Sequence, residues 1–290
     1  MKITRIDACR CLLGEGPVWD HREQALYLLD IGNSCVVRYA PARESVSRWE
    51  TPQRPGTLAL RAGGGPLVGM QDTLATLDVT SGELRPIAVA TEQSPDAVFN
   101  DGAVDRQGRF VIGSCAKGHT DPKPVGGILS LDAQHRVRRL AGGISFSNGP
   151  CFSPDGRILY FADSADYALY AYDYDPRSGD LGARRMFIDT RPFGGMPDGA
   201  TVDADGTVWL AIFRGGKVVA VRSDGSLDRV VELPVSLTVS AAFGGPQLDR
   251  LFVTTIDPTF FEESPEEGSG YLYVVDGLGV KGLPEPLYTG

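Results

Sequence analysis

The sequence predicts an all-β chain, a six-bladed β-propeller with a central metal site, from three observations. A short strand-opening motif recurs, its copies are nearly evenly spaced, and helical periodicity is sustained nowhere. The copies are Gly14-Glu15-Gly16-Pro17, Ser147-Asn148-Gly149-Pro150 and Pro197-Asp198-Gly199-Ala200, with a fourth at Asn100-Asp101-Gly102-Ala103. Counting glycine to glycine gives 149 − 102 = 47 and 199 − 149 = 50, and weaker copies at Gly56-Thr57-Leu58-Ala59-Leu60 and Ala241-Ala242-Phe243-Gly244 fill the gaps. At about 48 residues per unit, 290 residues hold six. Equivalent positions of such repeats face the same place in space.

Within each unit the motif leads into apolar–polar alternation, as in Val18-Trp19-Asp20 and Thr201-Val202-Asp203, the period-two signature of a strand. Further runs, Ala25-Leu26-Tyr27-Leu28-Leu29, Ile158-Leu159-Tyr160-Phe161, Val208-Trp209-Leu210-Ala211 and Leu251-Phe252-Val253-Thr254, lie between Asp-Gly, Ser-Gly and Gly-Gly turns. About four strands per unit is what a propeller blade needs. The 36 glycines, roughly 12% against a usual ~7%, suit tight turns in an all-β chain. Trp19-Asp20 is the only Trp-Asp dipeptide, which argues against a Trp-Asp repeat propeller. No Pro/Ser-rich or charged linker interrupts the pattern, so residues 1–290 read as one domain.

Composition narrows the function classes. The apolar runs are far shorter than the ~20 residues needed to span a bilayer, and the first residues lack the apolar stretch of a signal peptide, so a cytoplasmic protein is expected. A net charge of −9 without a Lys/Arg cluster argues against nucleic acid and anionic membranes as partners. Cys9, Cys11, Cys35, Cys115 and Cys151 are odd in number and scattered, and read as reduced packing residues. His21, His119 and His135 have no second ligand at zinc spacing. Neither a Gly-x-Ser-x-Gly nucleophile elbow nor a phosphate-cradling Gly-rich loop is present.

What remains is a set of oxygen-bearing side chains at one point of the repeat: Glu15, Asn148 and Asp198, with Asn100 and Asp101 in the fourth copy. An Asn-Gly or Asp-Gly pair alone is an ordinary turn, and Asp155-Gly156, Asp205-Gly206 and Asp224-Gly225 read as such. Two carboxylates and an amide at equivalent blade positions instead make a ring of hard oxygen donors, suited to Ca²⁺, Mg²⁺ or Mn²⁺ with positions open to water or substrate.

From end to end the chain resembles the SMP-30/gluconolactonase/regucalcin-like lactonases. The resemblance rests on Cys9-Arg10-Cys11 before Gly14-Glu15-Gly16-Pro17-Val18-Trp19, on Phe99-Asn100-Asp101-Gly102, Ser147-Asn148-Gly149-Pro150, Pro197-Asp198-Gly199 and Phe243-Gly244-Gly245, and on the tail Gly277-Leu278-Gly279-Val280-Lys281-Gly282. It implies one divalent cation, Ca²⁺ first with Zn²⁺, Mn²⁺, Mg²⁺ and Fe²⁺ as alternatives, held by Glu15, Asn148 and Asp198 with a fourth ligand from or near Asn100. It also implies Asp198 as general base or nucleophile, and Asn100 and Asp101 as residues that touch substrate or order water. An Asp bound to the metal is a weak base, so Asp198 is expected as the catalytic residue that orients and partly deprotonates a metal-bound water. The expected reaction is hydrolysis of a small sugar-acid lactone by a monomer or small homo-oligomer. Alternatives are an organophosphate or aryl-ester hydrolase of the same architecture and a non-enzymatic calcium-binding propeller.

The chain departs from the family where many members carry Arg, at Val98, and where Gly113-Ser114-Cys115 replaces a Gly-Thr-Met segment. Val98 is expected at the pocket rim, and Lys117 and Arg214 are candidates for positive charge at its mouth. The acidic loop from Asp257 to Gly270 contains Phe260-Phe261, expected to anchor it beside the pocket or against a neighbouring subunit.

Overall fold

Each motif copy opens the innermost strand of a four-stranded antiparallel sheet. The computed structural model describes residues 1–118 and 123–290, so His119 lies outside the described residues. Six such sheets are present among them. Their inner strands are Gly14–Asp20, Pro55–Leu60, Ala97–Val104, Ser147–Phe152, Met196–Val202 and Thr238–Gly244. Each inner strand packs against the next and the last returns to the first, which closes the propeller ring. The last blade takes its outermost strand, Lys2–Arg10, from the start of the chain, paired with Tyr271–Asp276. The first and last strands of the chain are thereby tied into one sheet. No helix is long and apolar enough to cross a membrane among the described residues.

Between blades the strands bury alternate apolar faces against the neighbouring sheet. Trp209 meets Phe243 edge-on at 5.6 Å between the fifth and sixth blades, and Trp19 stacks on Phe252 at 5.6 Å between the first and sixth. All five cysteines are buried thiols in this core. The Asp-Gly turns have structural work: Asp203 accepts the amides of Asp205 and Thr207 and the indole N–H of Trp209 at 2.9 Å. Gly206 there takes φ +87°, a conformation few side chains tolerate.

The feature that builds the site is a register shift in every inner strand at the same height. It falls between Glu15 and Val18, Pro55 and Thr57, Phe99 and Gly102, Asn148 and Cys151, Pro197 and Ala200, and Thr238 and Ser240. A bulge re-aims the side chain beside it, and in the first, third, fourth and fifth blades this turns Glu15, Asn100, Asn148 and Asp198 toward one cavity. Left-handed backbone follows the axial residue at Gly16 (φ +53°) and Gly149 (φ +54°). In the third blade that slot holds Asp101, φ +55°. The structural equivalent of Gly149 is therefore Asp101 and not Gly102, one residue earlier than the glycine count placed it.

Candidate metal centre and substrate cavity

Glu15, Asn100, Asn148 and Asp198 occupy equivalent bulge positions on four inner strands, and the structure brings all four to the wall of one cavity of about 420 Å³. The approach segments are pinned from the neighbouring strands. Asp30 accepts the amides of Leu12 and Leu13 at 3.0 and 3.2 Å, and Asp163 accepts those of Ser145 and Phe146 at 2.9 Å each. These buried carboxylates fix the entry into Glu15 and Asn148.

Hydrogen bonds decide which amide oxygens face the cavity. Ser164 donates its hydroxyl to the Pro197 carbonyl at 2.6 Å, so it can only accept from Asn148 Nδ2 at 2.9 Å, and Asn148 Oδ1 is left as the acceptor. Both protons of Asn100 Nδ2 are used, on the Ser147 carbonyl at 2.7 Å and on Asn148 Oδ1 at 2.9 Å. Asn100 Oδ1 accepts no hydrogen bond among the described residues.

The carboxylates are a buried charge problem. Burial raises the Glu15 carboxyl to about 8, with Asp101 adding to the shift and the amide of Gly16 opposing it. Burial, then Glu15, then Asp101 hold Asp198 well above the ordinary aspartate range. Neither carboxylate has an ion-pair partner among the described residues. Groups of this kind bind a cation or stay protonated. No cluster of three His, Cys, Asp or Glu side chains at metal-binding distance occurs among the described residues, so the donor set is two carboxylates with two oriented amide oxygens. That set fits a hard divalent cation.

The other expected site residues divide. Asp101, raised to about 6 by burial, points away from the substrate cavity: Oδ1 accepts the Gly102 amide and Oδ2 that of Gly149, both at 2.8 Å, and it lines a smaller cavity below. Its side chain follows its backbone, which occupies the slot of a glycine. Val98 and Lys117 line an adjoining groove, where Lys117 donates to the Pro95 carbonyl at 2.6 Å. Arg214 pairs with Glu263 at 2.5 Å and lies over Phe213 and Phe261, so its charge is compensated.

Phe260 and Phe261 both line the cavity, in a short 3₁₀ turn, Pro258–Phe261, capped by the Asp257 carboxylate, which accepts from Thr259 N at 3.0 Å. Phe261 packs on Phe213 at 6.0 Å. Sequence reasoning missed the rest of the wall: Leu13, Ile31, Arg54, Phe146, Met196, Phe213 and Ile256. Leu13, Arg54 and Phe146 sit one residue or so before an inner strand, and that position was the available signal.

A model of the SMP-30/Gluconolactonase/LRE-like region matches residues 13–257, and the chain belongs to that family. Regucalcin of Xenopus laevis is 32% identical over 287 residues, covering 96% of this chain and 95% of its own. A 6-deoxy-6-sulfogluconolactonase of Pseudomonas putida is 34% identical over 282 residues, 96% of each chain. The crystal structure of a calcium-binding protein, regucalcin, from Agrobacterium tumefaciens superposes with a TM-score of 0.89 at 29% identity, covering 99% of this chain and 97% of the other.

Proposed function

We propose that the chain is a divalent-cation-dependent lactonase that opens a sugar-acid lactone to its acid, with residues 1–290 acting as one propeller domain. It is an enzyme, a hydrolase of the carboxylic-ester class. The observation that carries this reading is the pair of uncompensated carboxylates, half-buried Glu15 and buried Asp198, framed by oriented amide oxygens at one end of a cavity large enough for a small ligand. Glu15, Asn148 and Asp198 would hold the cation, with Asn100 Oδ1 beside them. When bound, the cation supplies a Lewis acid for the lactone carbonyl and lowers the pKa of nearby water.

The protein's own groups do the remainder. Asp198 takes the proton as water adds to the carbonyl, a contribution of roughly 10²–10⁴-fold. A bound cation would draw its raised pKa back down and so make it a weaker base, one that would orient water as much as deprotonate it. Asn148, locked by Ser164, and Asn100, locked by Ser147, cost no reorganisation during the reaction. The Phe146, Phe213, Phe260 and Phe261 rings exclude bulk water and offer flat faces to a sugar ring.

Those aromatic walls also favour an aryl-ester substrate as the second reading. A pH-indicator assay tests both: chelated enzyme with added Ca²⁺, Mg²⁺, Mn²⁺, Zn²⁺ or Fe²⁺ is given aldono-1,4- and 1,5-lactones, 4-nitrophenyl acetate and a phosphotriester. Cation-dependent turnover of the lactones above the esters is expected. Turnover of the aryl substrates alone would move the assignment to the second reading.

A further inference from the structure

The substrate cavity is continuous with a side groove of about 290 Å³, since Ile31, Arg54, Asn100 and Gly118 line both. The groove has the opposite electrostatic character. Arg54 and Lys117 line it, no carboxylate does among the described residues, and Gln71 and Asn100 supply the remaining polar side chains. In a chain of net charge −9, that is a local reversal of sign a few residues from two buried acids.

Arg54 is the centre of it. It is the one cationic residue on the wall of the substrate cavity among the described residues. Most arginines of this chain pair with an aspartate or glutamate, Arg214 included. The Arg54 guanidinium has no ion pair and donates no hydrogen bond among the described residues; its carbon lies 5.6 Å from the centroid of the Phe260 ring. Partial desolvation, with no carboxylate nearby to oppose it, lowers its pKa from the ordinary arginine value although the residue as a whole stays exposed. Arg54 is an exposed residue on the groove wall, and its guanidinium, over an aromatic face with its planar fork unpaired among the described residues, has the fixed donor geometry that suits an oxyanion.

We propose that this groove is a specificity subsite, in which Arg54, supported by Lys117, binds an anionic substituent carried on the end of the lactone remote from its carbonyl. The chemistry called for is a tetrahedral or planar oxyanion, a phosphate, sulfonate or carboxylate. The subsite rests on the lactonase reading for the identity of the reacting end, and on Arg54 and Lys117 alone for the anionic end. The contact is remote from the reacting carbonyl and is made equally in ground and transition states, so it acts through KM.

The test compares cation-loaded wild type, Arg54→Gln, Arg54→Lys and Lys117→Gln on glucono-1,5-lactone and 6-phosphoglucono-1,5-lactone. The readout is the ratio of kcat/KM for the anionic over the neutral lactone. Wild type is expected to favour the anionic lactone by at least about 10-fold, and Arg54→Gln to cut that ratio about 10- to 100-fold, mainly through KM. Arg54→Lys recovers part of the ratio, since the charge returns without the fork. Lys117→Gln has the smaller effect. Calorimetry of gluconate and 6-phosphogluconate binding to the same proteins supplies a readout that needs no turnover. Should wild type hydrolyse no lactone with any cation, the lactonase reading fails, and the binding ratio of the two acids still decides the subsite. An anionic-to-neutral ratio that is the same in wild type and Arg54→Gln, by rate or by binding, overturns the proposal.

Discussion

The two ends of the propeller axis use the same kinds of residue and reach opposite outcomes. The upper end is a cavity of about 420 Å³ walled by loops and aromatic rings, with Glu15 and Asp198 facing it. The lower end is about 60 Å³, lined by backbone of the inner strands together with Asp101, Arg106 and Glu285, the last from the C-terminal tail. That tail is tied across the lower face by the bridges Asp203↔Gly282 and Arg61↔Tyr288 and by the Tyr288 hydroxyl, which donates to the Asp132 carbonyl at 2.7 Å. Below, two amides hold Asp101 to a pKa of about 6, and Arg106 opposes the rise that burial imposes on Glu285. Above, Glu15 has one amide and rises to about 8. Burial is similar at both ends. What differs is whether the protein itself supplies the compensating donors, and where it does not, a ligand cation has a reason to bind.

The largest expected effect separates the ends by rate. Asp198→Asn should lower kcat by roughly 10²–10⁴-fold with the fold intact. Elemental analysis then divides two outcomes: retained cation assigns Asp198 to proton transfer, lost cation assigns it to binding. Glu15→Gln and Asn148→Ala should weaken cation binding at least about 10-fold, as removing one oxygen from so small a donor set must. If two of these three variants keep full occupancy, the ring is misassigned.

The pH dependence of stability follows with a definite sign. Glu15 and Asp198 bind protons more tightly folded than unfolded in the cation-free protein, so stability falls as pH rises from the unfolded carboxylate range toward about 8. The Tm of chelated protein should drop by on the order of 5 °C between pH 5 and pH 8. Saturating cation should flatten that slope, and Glu15→Gln should flatten part of it without cation. The smallest effect lies at the lower end, where Glu285→Gln should change kcat/KM by less than about 2-fold, steady-state kinetics being the check.

The same contrast explains how much was legible in the sequence. Glu15, Asn100, Asn148 and Asp198 recur at the repeat period, and a bulged inner strand in each blade converts that period into a ring. Asp101 fills a slot that glycine fills in the first and fourth blades, and only the backbone, φ +55°, reveals which of two adjacent polar residues turns inward. The walls were largely illegible. Leu13, Phe146 and Met196 stand two residues before Glu15, Asn148 and Asp198, and Arg54 directly precedes an inner strand, so their position follows the repeat, but their residue types share no chemistry that marks them as wall; Phe213 ends the strand Val208–Phe213 and follows no such spacing. Arg214 was offered as charge at the mouth, but its partner Glu263 is 49 residues away in sequence, and pairing across that distance is a tertiary fact.

Calcium titration of chelated protein, followed by calorimetry at pH 7 in two buffers of different ionisation enthalpy, tests the central claim most directly. One cation per chain should bind with net release of protons, because Glu15 and Asp198 enter the complex from raised pKa values and must ionise. Asp101→Asn, at the lower level, should retain both binding and proton release. Binding without proton release, or proton release lost in Asp101→Asn and kept in Glu15→Gln, would contradict the assignment of the cation to the upper end.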